Sequence, residues 1–333
     1  TTRGTLITGQ HGINSGISFV PAIMNTSTQT LQRYIKSLSQ SSDYQTAVIG
    51  KWHLGGANPE LSHPTDSGVD YYAGTIKGTL DDYYSWELTE DGTNSTSTEY
   101  HTSKITDLAI DWLALQNQQQ QPWFLWLAYV APHSPFHLPP SELHSRDYLT
   151  GIEADITANK REYYLAAIEA MDSEIGRLLD SLSTDERDNT LIVYIGDNGT
   201  PTSVIDANVY SKSHSKGSLY EGGIRVPMVV SGKGVSRLNV RENALVNSSD
   251  FYATFSHFVG GSLMQLNDSY SFLSLLEQGG MGLRQINYSE FESDDVTGWT
   301  IRDQTHKLIE FSDGSQELYQ ISNDLSETDD LLL

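Results

Sequence analysis

Short, almost entirely apolar runs recur along the first three quarters of the chain, and each has the length of a buried β-strand. They are TAVIG at residues 46–50, WFLWLAYV at 123–130, TLIVYIG at 190–196 and VPMVVSG at 226–232. Strands that are apolar throughout, rather than at alternate positions, are typical of a parallel sheet that is covered on both faces.

Between these strands, apolar residues recur every three or four positions, which predicts helices. Such patterns lie at residues 31–38, at residues 105–113 and at residues 158–182. In the last of these, six residues are predicted to face inward: Tyr164, Ile168, Met171, Ile175, Leu178 and Leu182. Strands that alternate with helices predict an α/β fold with a mostly parallel central sheet flanked by helices.

The pattern changes in the last sixth of the chain. Four short segments, RQINYSEF, TGWTIRD, HKLIEFS and QELYQIS, have the composition of strands and are separated by turn residues. They predict a small antiparallel sheet. We therefore expect a main α/β domain over residues 1–262 and a C-terminal α+β subdomain over residues 263–333.

Charge and composition exclude several classes of partner and site. The 333 residues carry 43 Asp and Glu against 20 Lys and Arg, which gives a formal net charge of −23 at pH 7. A surface this acidic argues against nucleic-acid binding, because DNA and RNA are polyanions. No apolar run approaches the length of a membrane-spanning helix. Cys is absent, so the chain has neither disulfides nor a thiolate metal site.

Polar clusters flank four of the predicted strands. They are GKWHLG at residues 50–55, APHSPFHLP at 131–139, GDNG at 196–199 and SKGSLYEGGIRVP at 215–227. Ligands bind beyond the carboxyl ends of the strands in a parallel α/β sheet, so we expect the four clusters at one edge of one sheet. Alone, each cluster has an ordinary explanation as a turn or a solvated loop. Together, their Lys, His, Asp and Asn side chains suit a site for a metal ion and a tetrahedral anion.

These clusters occur in an order that resembles the type I (formylglycine-dependent) sulfatases of the alkaline phosphatase superfamily. The opening TTRGTLITG resembles the second half of the sulfatase signature, Cys-x-Pro-Ser/Thr-Arg followed by a helix. SGVDYYAG at residues 67–74 and the segment from HKLIEFS to the end of the chain also resemble sulfatase segments. The resemblance implies an alkaline phosphatase-like fold and a sulfatase, that is, a sulfuric ester hydrolase.

The resemblance also implies a nucleophile that the given sequence does not contain. Counting back from Arg3, the signature Cys or Ser would lie two residues before Thr1, which stands where the signature usually has Pro or Ala. A formylglycine-generating or equivalent maturation enzyme would convert that residue to formylglycine. An earlier strand would carry two Asp that bind calcium. We therefore expect the N-terminal strand and the nucleophile to lie upstream of residue 1.

Several charged residues would take the sulfatase roles in binding a metal ion and sulfate. Asp197 and Asn198 resemble calcium ligands, since both offer the hard oxygen donors that Ca²⁺ prefers. Arg3, just before a predicted helix, would hold the formylglycine. Lys51 and Lys216 would contact the sulfate oxygens as point charges.

Two histidines would transfer protons in the reaction that the resemblance implies, which is attack on sulfur by one hydroxyl of the aldehyde hydrate. His133 would protonate the departing alcohol oxygen, and His53 would act as a base on the second hydroxyl. His214, two residues before Lys216, could reach the substrate, although it could equally be an ordinary loop histidine. Glu221 lies in a matching motif, but we interpret it as structural.

An aromatic segment suggests the substrate class. Tyr83, Tyr84 and Trp86 lie in the irregular stretch GTLDDYYSW and could stack on sugar rings, although aromatic residues are also common in cores. They favour a sulfated carbohydrate over a small aryl sulfate.

Two alternatives remain open: a phosphonate or phosphodiester hydrolase of the same superfamily, and a non-catalytic anion-binding relative that lacks the nucleophile. By analogy with the family, we expect a periplasmic or extracellular location. The identity of the residue two positions before Thr1 separates catalysis from binding alone, because Cys or Ser there supports an enzyme.

Overall fold

A computed structural model describes residues 2–292 and 297–333 of the chain, and Thr1 lies outside the described residues. The strands are β1 (Gln45–Gly50), β2 (Tyr71–Gly74), β3 (Trp86–Glu90), β4 (Thr93–Ser97), β5 (Trp123–Ala128), β6 (Leu191–Ile195), β7 (Met228–Gly232), β8 (Gln265–Leu266), β9 (Ser269–Tyr270), β10 (Asn287–Glu292), β11 (Thr297–Arg302), β12 (Lys307–Phe311) and β13 (Gln316–Tyr319). The helices are α1 (Thr2–Thr8), α2 (Gly12–Ser15), α3 (Leu31–Ser37), α4 (His63–Asp66), α5 (His101–Gln119), α6 (Glu153–Ala158), α7 (Lys160–Ser181), α8 (Thr184–Asp188), α9 (Glu221–Ile224), α10 (Asp250–Phe258) and α11 (Leu273–Glu277).

The chain divides into two compact units. The middle unit is Ile23–Arg187, and the terminal unit combines Thr1–Ala22 with Asp188–Leu333. The predicted domain boundary between residues 262 and 263 falls inside the terminal unit and stays a prediction. Among the residues that the structure describes, no helix combines the length and the apolar character that crossing a membrane requires.

The middle unit is built on a five-stranded sheet with the order β4-β3-β2-β1-β5. The central strand β1 is parallel to β2 and to β5, and β3 and β4 extend the sheet in antiparallel pairs. Ala47, Val48 and Ile49 of β1 are fully buried, which explains why this strand is apolar throughout. Helices α5 and α7 pack against each other and contribute side chains to the core beside β1. This arrangement confirms the predicted α/β fold with a mostly parallel central sheet.

The predicted helices are present, but the inner face of α7 differs from the prediction. The helix buries Tyr163, Ala166 and Ala170 together with Met171, whereas Tyr164 and Ile168 are only partly buried. Small alanine side chains allow α7 to lie close to its neighbours. The other large apolar residues of the predicted face do face the core: Met171 and Leu182 are buried in it, and Ile175 and Leu178 pack against it.

The terminal unit contains the predicted antiparallel sheet. Strands β10, β11, β12 and β13 pair in chain order, each antiparallel to the next. One face of this sheet packs on a small core that includes Leu219, Ile309 and Tyr319. A second core in the same unit gathers Phe251 and Phe272 with residues of β6 and β7.

Strands β6 and β7 differ from their predicted arrangement. They were expected in the parallel sheet, but they pair antiparallel with each other in a two-stranded sheet. The four polar clusters are therefore distributed over two sheets instead of one edge of one sheet. An apolar composition indicates that a strand is buried, but it does not specify the partner strand or its direction. The register Ile195↔Met228 brings the end of β6 beside the start of β7, so the clusters at 196–199 and 215–227 meet at one end of this pair.

A buried ion pair holds α10 to the segment before β10. The Arg284 guanidinium donates from Nε to Asp250 Oδ2 at 2.7 Å and from Nη2 to Asp250 Oδ1 at 2.6 Å. Its Nη2 also donates to the Asp268 carbonyl at 2.6 Å, and its charge lies 4.9 Å from the ring centre of Tyr270. Both charged side chains are almost completely buried, at 5% and 1% exposure.

Candidate active site

The loop after β1 carries Lys51 and His53 and is fixed by backbone hydrogen bonds to both neighbouring chain segments. Lys51 N donates to the Ala128 carbonyl at 2.8 Å, and His53 N donates to the Ile76 carbonyl at 3.2 Å. The side chain of Lys51 is buried. The two residues therefore lie where the motif predicts, just beyond the carboxyl end of a central parallel strand.

Trp52 lies between these two residues in sequence and anchors the loop in the core. Its indole Nε1 donates to His63 Nδ1 at 3.0 Å, and His63 Nε2 donates to the Met24 carbonyl at 2.9 Å. Both rings are buried. Because Nδ1 accepts and Nε2 donates, His63 is a neutral imidazole that orients the loop. The tryptophan in GKWHLG was the sequence signal for this support, although no role was predicted for it.

His53 lies tightly against the backbone of a neighbouring loop. Its φ of 56° is in the left-handed region, which residues with a Cβ adopt rarely. A Cβ added to Gly78 would lie 2.2 Å from His53 Nε2, so the imidazole packs directly on the glycine backbone. Gly78 therefore helps to define where the His53 ring can lie.

We expect Gly78→Ala to displace His53 without unfolding the chain, because the new methyl group would overlap the imidazole. If His53 is a catalytic base, a shift of about 1 Å should lower kcat by roughly 10- to 100-fold. The matched control is Gly176→Ala in α7, where an added Cβ meets nothing within 4 Å. That control should raise stability by about 0.5–1 kcal/mol and leave kcat unchanged. Equal kcat values for the two variants would contradict the role of His53.

His133 follows β5 and has one ring nitrogen fixed by its own loop. Its Nδ1 lies 2.8 Å from the Ser134 carbonyl, and a carbonyl oxygen only accepts, so Nδ1 carries a proton. Proton transfer at this residue is therefore assigned to Nε2. The Tyr83 hydroxyl donates to the His133 carbonyl at 2.8 Å and holds the backbone of this residue from the core side.

The predicted sugar-stacking aromatics divide into buried and exposed residues. Tyr83 and Trp86 are exposed by only 1% and 4%, so neither ring has a face open to a substrate. The Tyr83 ring stacks on His137 at 3.8 Å, and Trp86 Nε1 donates to the Glu99 carbonyl at 3.0 Å. For these two residues, burial contradicts the predicted stacking. Tyr84 is 39% exposed and remains a candidate.

The rings of two further histidines contact Tyr83, and neither was predicted as a site residue. His101 is fully buried, and His137 is partly buried. His101 Nε2 lies 3.0 Å from Thr75 Oγ1, and His137 Nε2 lies 3.0 Å from the Tyr100 hydroxyl. Burial lowers the pKa of His101 to about 3, with a smaller contribution from His137. Burial likewise lowers the pKa of His137 to about 4. Both rings are therefore neutral at pH 7, and His101 lies in no sequence motif that would reveal it.

These lowered pKa values predict that acid destabilises the fold. As the pH falls below 6.5, the unfolded chain takes up protons on these histidines before the folded chain does, so unfolding becomes more favourable toward about pH 3. For His101, the loss between about pH 7 and pH 4.5 should be roughly 2–3 kcal/mol. Urea unfolding at both pH values should show a smaller loss for His101→Gln, whose amide can still bond Thr75. The exposed control, His306→Gln, should lose as much as the unmodified protein; an unchanged loss in His101→Gln would contradict the prediction.

In the terminal unit, the loop after β6 presents two oxygen-bearing side chains. Asp197 and Asn198 are both exposed, and Asn198 Nδ2 donates to Asp197 Oδ1 at 2.6 Å. The loop is held from behind because Gly199 N donates to the Gly223 carbonyl at 2.9 Å. A Cβ on Gly199 would lie 1.9 Å from the carbonyl oxygen of Gly222, so only glycine allows this close approach.

Lys216 lies beside the same loop. Its backbone N donates to the Thr200 carbonyl at 2.9 Å, which ties the cluster at 215–227 to the cluster at 196–199. Burial lowers the pKa of the Lys216 ammonium, while the negative charge of Asp197 raises it. Lys216 is thus a partly buried cation that the charge of Asp197 influences, and its role in binding sulfate stays a prediction.

The donor set of this loop fits calcium in part. Carboxylate and amide oxygens suit Ca²⁺, which takes about six to eight oxygen ligands. Across residues 2–292 and 297–333, no group of three or more His, Cys, Asp or Glu side chains could hold a metal ion. Asp197 and Asn198 can therefore supply only some of the ligands in a calcium cage.

Arg3 and His214 complete the set of predicted site residues. Arg3 is buried and is the second residue of α1, whereas it was expected just before the helix. The His214 ring stacks on Tyr220 at 3.6 Å, and its Nδ1 donates to the Ser326 carbonyl at 3.2 Å. One face of the His214 ring and its Nδ1 thus make structural contacts. The predicted role of His214 in substrate binding stays a prediction, and Nε2 is the atom that would contact the substrate.

Comparison with known proteins identifies the family. A family model described as Sulfatase matches residues 1–261. The chain is 27% identical over 282 residues to the uncharacterized sulfatase YdeN of Escherichia coli (strain K12), which covers 76% of this chain and 48% of that protein. The chain spans about half the length of the first curated relatives that it matches.

Two solved structures share the fold over 99% of this chain. One is Ps i-CgsB in complex with k-i-k-neocarrahexaose, with a TM-score of 0.83, 23% identity and 77% of that chain covered. The other is BT4656 in complex with D-glucosamine-2-N,6-O-disulfate, with a TM-score of 0.77, 22% identity and 83% of that chain covered. Since the family model matches more than half of its residues, the chain belongs to the sulfatase family of the alkaline phosphatase superfamily.

Proposed function

We propose that the protein hydrolyses sulfate esters. The observation that carries this proposal is the arrangement in the terminal unit, where backbone hydrogen bonds tie Lys216 to the loop of Asp197 and Asn198. A cation suited to a tetrahedral anion and oxygen ligands suited to calcium then belong to one rigid assembly of loops. Because the chain belongs to the sulfatase family, we assign the tetrahedral anion as the sulfate group of an ester.

The roles of the other residues follow from their chemistry. His133 Nε2 gives a proton to the departing alcohol oxygen, since its Nδ1 proton is held by the Ser134 carbonyl. His53 removes a proton as a base, and Lys51 adds positive charge for the sulfate oxygens. Arg3 would hold formylglycine, which would supply the nucleophile, and Asp197 and Asn198 would bind calcium, which would offset the repulsion between sulfate and the carboxylates.

We propose a sulfated carbohydrate as the substrate. Both structural relatives described above were solved with saccharides: Ps i-CgsB with k-i-k-neocarrahexaose, and BT4656 with a glucosamine disulfate. In this chain, Tyr84 offers a partly exposed ring. Its hydroxyl is held by the Leu138 carbonyl at 2.8 Å, so the ring has a fixed orientation.

The test is release of inorganic sulfate by the full-length, matured protein. Sulfated oligosaccharides, 4-nitrophenyl sulfate, and phosphonate and phosphodiester analogues are incubated separately, and free sulfate or phosphate is measured by ion chromatography. We expect sulfate release to be fastest from a saccharide. Faster turnover of the phosphorus esters favours the alternative hydrolase. Sulfate binding without release from any ester favours the non-catalytic relative.

Metal analysis tests the role that we propose for the loop after β6. The unmodified full-length protein is expected to carry calcium, because an oxygen-rich site with no thiolate favours a hard cation. Asp197→Ala should lose most of this calcium, whereas Asp313→Ala, in an exposed turn of the same unit, should retain it. Calcium should also raise the thermal midpoint of the unmodified protein more than that of Asp197→Ala. Finding zinc, or no divalent ion, would contradict the assignment of Asp197 and Asn198.

Two further parts of the proposal concern maturation and location. Activity should depend on co-expression with a formylglycine-generating or equivalent enzyme, because the proposed nucleophile is a modified residue. We propose a periplasmic or extracellular location, where a sulfated polysaccharide would be accessible. Mass spectrometry of the residue two positions before Thr1 would reveal the aldehyde directly, and an unmodified residue in active protein would contradict this part of the proposal.

A further inference from the structure

A buried charge network joins three parts of the terminal unit. Lys307 of β12 is fully buried, and its Nζ donates to Glu221 Oε1 at 3.2 Å and to Glu327 Oε1 at 2.6 Å. Arg302 Nη1 donates to the other oxygen of Glu221 at 2.8 Å. Two carboxylates are thus balanced by two cations, which is what charges need when they are removed from water.

The backbone conformation at Glu327 directs its carboxylate toward α9. Glu327 has a φ of 58°, in the left-handed region that residues with a Cβ rarely adopt. Its Oε2 accepts a hydrogen bond from Glu221 N at 2.6 Å, at the start of α9. The preceding residue, Ser326, accepts from His214 Nδ1 at 3.2 Å through its carbonyl. Two successive residues therefore hold the segment 214–221 near both of its ends.

Helix α9 connects this network to the loop of Asp197. Gly223 accepts the hydrogen bond from Gly199 N, and Gly222 lies so close to Gly199 that no Cβ would fit between them. Lys216, within the segment that the network holds, donates to the Thr200 carbonyl. The network thus reaches both the cation and the oxygen ligands through short, rigid backbone contacts.

We propose that Glu327, together with Lys307, is a positioning residue that fixes Lys216 and the Asp197 loop for sulfate binding. This inference rests on the proposed function. Stability alone does not account for the network, since a buried ion pair is often no more stabilising than apolar residues of the same volume. A buried ion pair does, however, favour one orientation of its partners over others. Glu327 also lies beyond residues 1–261, which match the family model.

The test compares a single variant with a charge-balanced double variant of the full-length protein. Glu327→Leu leaves Lys307 with one carboxylate, so it should lower the thermal midpoint and weaken binding of inorganic sulfate. Adding Lys307→Met removes the extra charge and should restore the thermal midpoint. Sulfate binding should stay roughly 10- to 100-fold weaker in the double variant, because the loop is no longer held in register. Glu310→Gln, on the same strand as Lys307 and bonded to Gln316, is the control and should change neither quantity.

A double variant with both the thermal midpoint and the sulfate affinity of the unmodified protein would overturn the proposal. If the double variant does not fold, Glu327→Gln carries the test. It keeps the volume of the side chain, but its single amide oxygen cannot accept from both Lys307 Nζ and Glu221 N as the two carboxylate oxygens do. In Glu327→Gln, unchanged sulfate affinity would likewise overturn the proposal, provided that the protein is folded.

Hydrogen exchange separates a failure of this inference from a failure of the proposed function. Positioning predicts faster amide exchange over residues 197–200 and 214–223 in both variants, whether or not the protein acts on sulfate esters. If exchange rises there while the unmodified protein releases no sulfate, the positioning holds and the function is wrong. If exchange is unchanged while sulfate is released, the function holds and the positioning is wrong.

Discussion

Replacing His133 with alanine is expected to slow the hydrolysis of esters with poor leaving groups by about 10²- to 10⁴-fold, the range typical of general acid catalysis. The reason is that a sugar alkoxide needs a proton as it departs, whereas a nitrophenolate does not. The fixed proton on Nδ1 leaves Nε2 to donate in the protonated ring. The measurement is kcat/KM for a series of sulfate esters that differ in the pKa of the leaving group.

In the His133→Ala variant, log kcat/KM should fall more steeply as the leaving-group pKa rises. His144→Ala is the control, because His144 lies in the same unit but outside the four polar clusters, and its slope should match that of the unmodified protein. An equal loss for every leaving group in His133→Ala would show that His133 acts in binding or folding. In that case, another residue would have to supply the proton.

The second large effect concerns stability. Arg284→Met should lower the free energy of unfolding by about 3–5 kcal/mol, because it leaves the carboxylate of Asp250 buried without its cation. Met has a comparable length, so loss of volume is a small part of the effect. Urea unfolding of the full-length protein at neutral pH gives the difference directly.

Arg237→Met is the matched control, since Arg237 pairs with Glu242 at 2.6 Å in the same unit but with both side chains partly exposed. Exposed pairs are worth at most about 1 kcal/mol, so this variant should lose far less. Equal losses for the two variants would mean that burial of the Arg284 pair does not determine its contribution to stability.

Asp250→Asn should also lower the free energy of unfolding, because it leaves the buried charge of Arg284 unbalanced.

Secondary structure was largely predictable because the apolar periods were long and regular. Strand β1 and helix α5 lie where their patterns indicated, and the four short strands near the end of the chain form the expected antiparallel sheet. The partner of a strand was not predictable in the same way. Strands β6 and β7 are apolar like β1 and β5, yet they pair with each other in the opposite sense. Part of the buried face of α7 was also missed, because buried alanines such as Ala166 and Ala170 carry little hydrophobic signal.

For the candidate site, the motifs identified the chemical groups but not the residues that hold those groups in place. Lys216 and Asp197 lie together because their two loops share one end of the antiparallel pair of β6 and β7, and the motifs did not indicate that pairing. The sequence could not show that Tyr84 is partly exposed while Tyr83 and Trp86 are buried, since all three are aromatic residues of one short segment. The direction in which the backbone points each side chain decides its exposure. His101 lies in a helix, in no motif, and its low pKa results mainly from burial.

The division of the terminal unit between the two ends of the chain has a consequence for biosynthesis. Leu6 of α1 packs against the core cluster of Phe251, Phe272 and Leu275, so the helix that carries Arg3 cannot reach its core partners until the ribosome has passed those residues. The middle unit, Ile23–Arg187, is continuous in sequence and can fold while the rest is still being translated. Until the rest of the terminal unit has been translated, the apolar side chains of α1 are exposed to chaperones. The docking of α1 is a late event in folding, because it closes a loop that contains the whole middle unit.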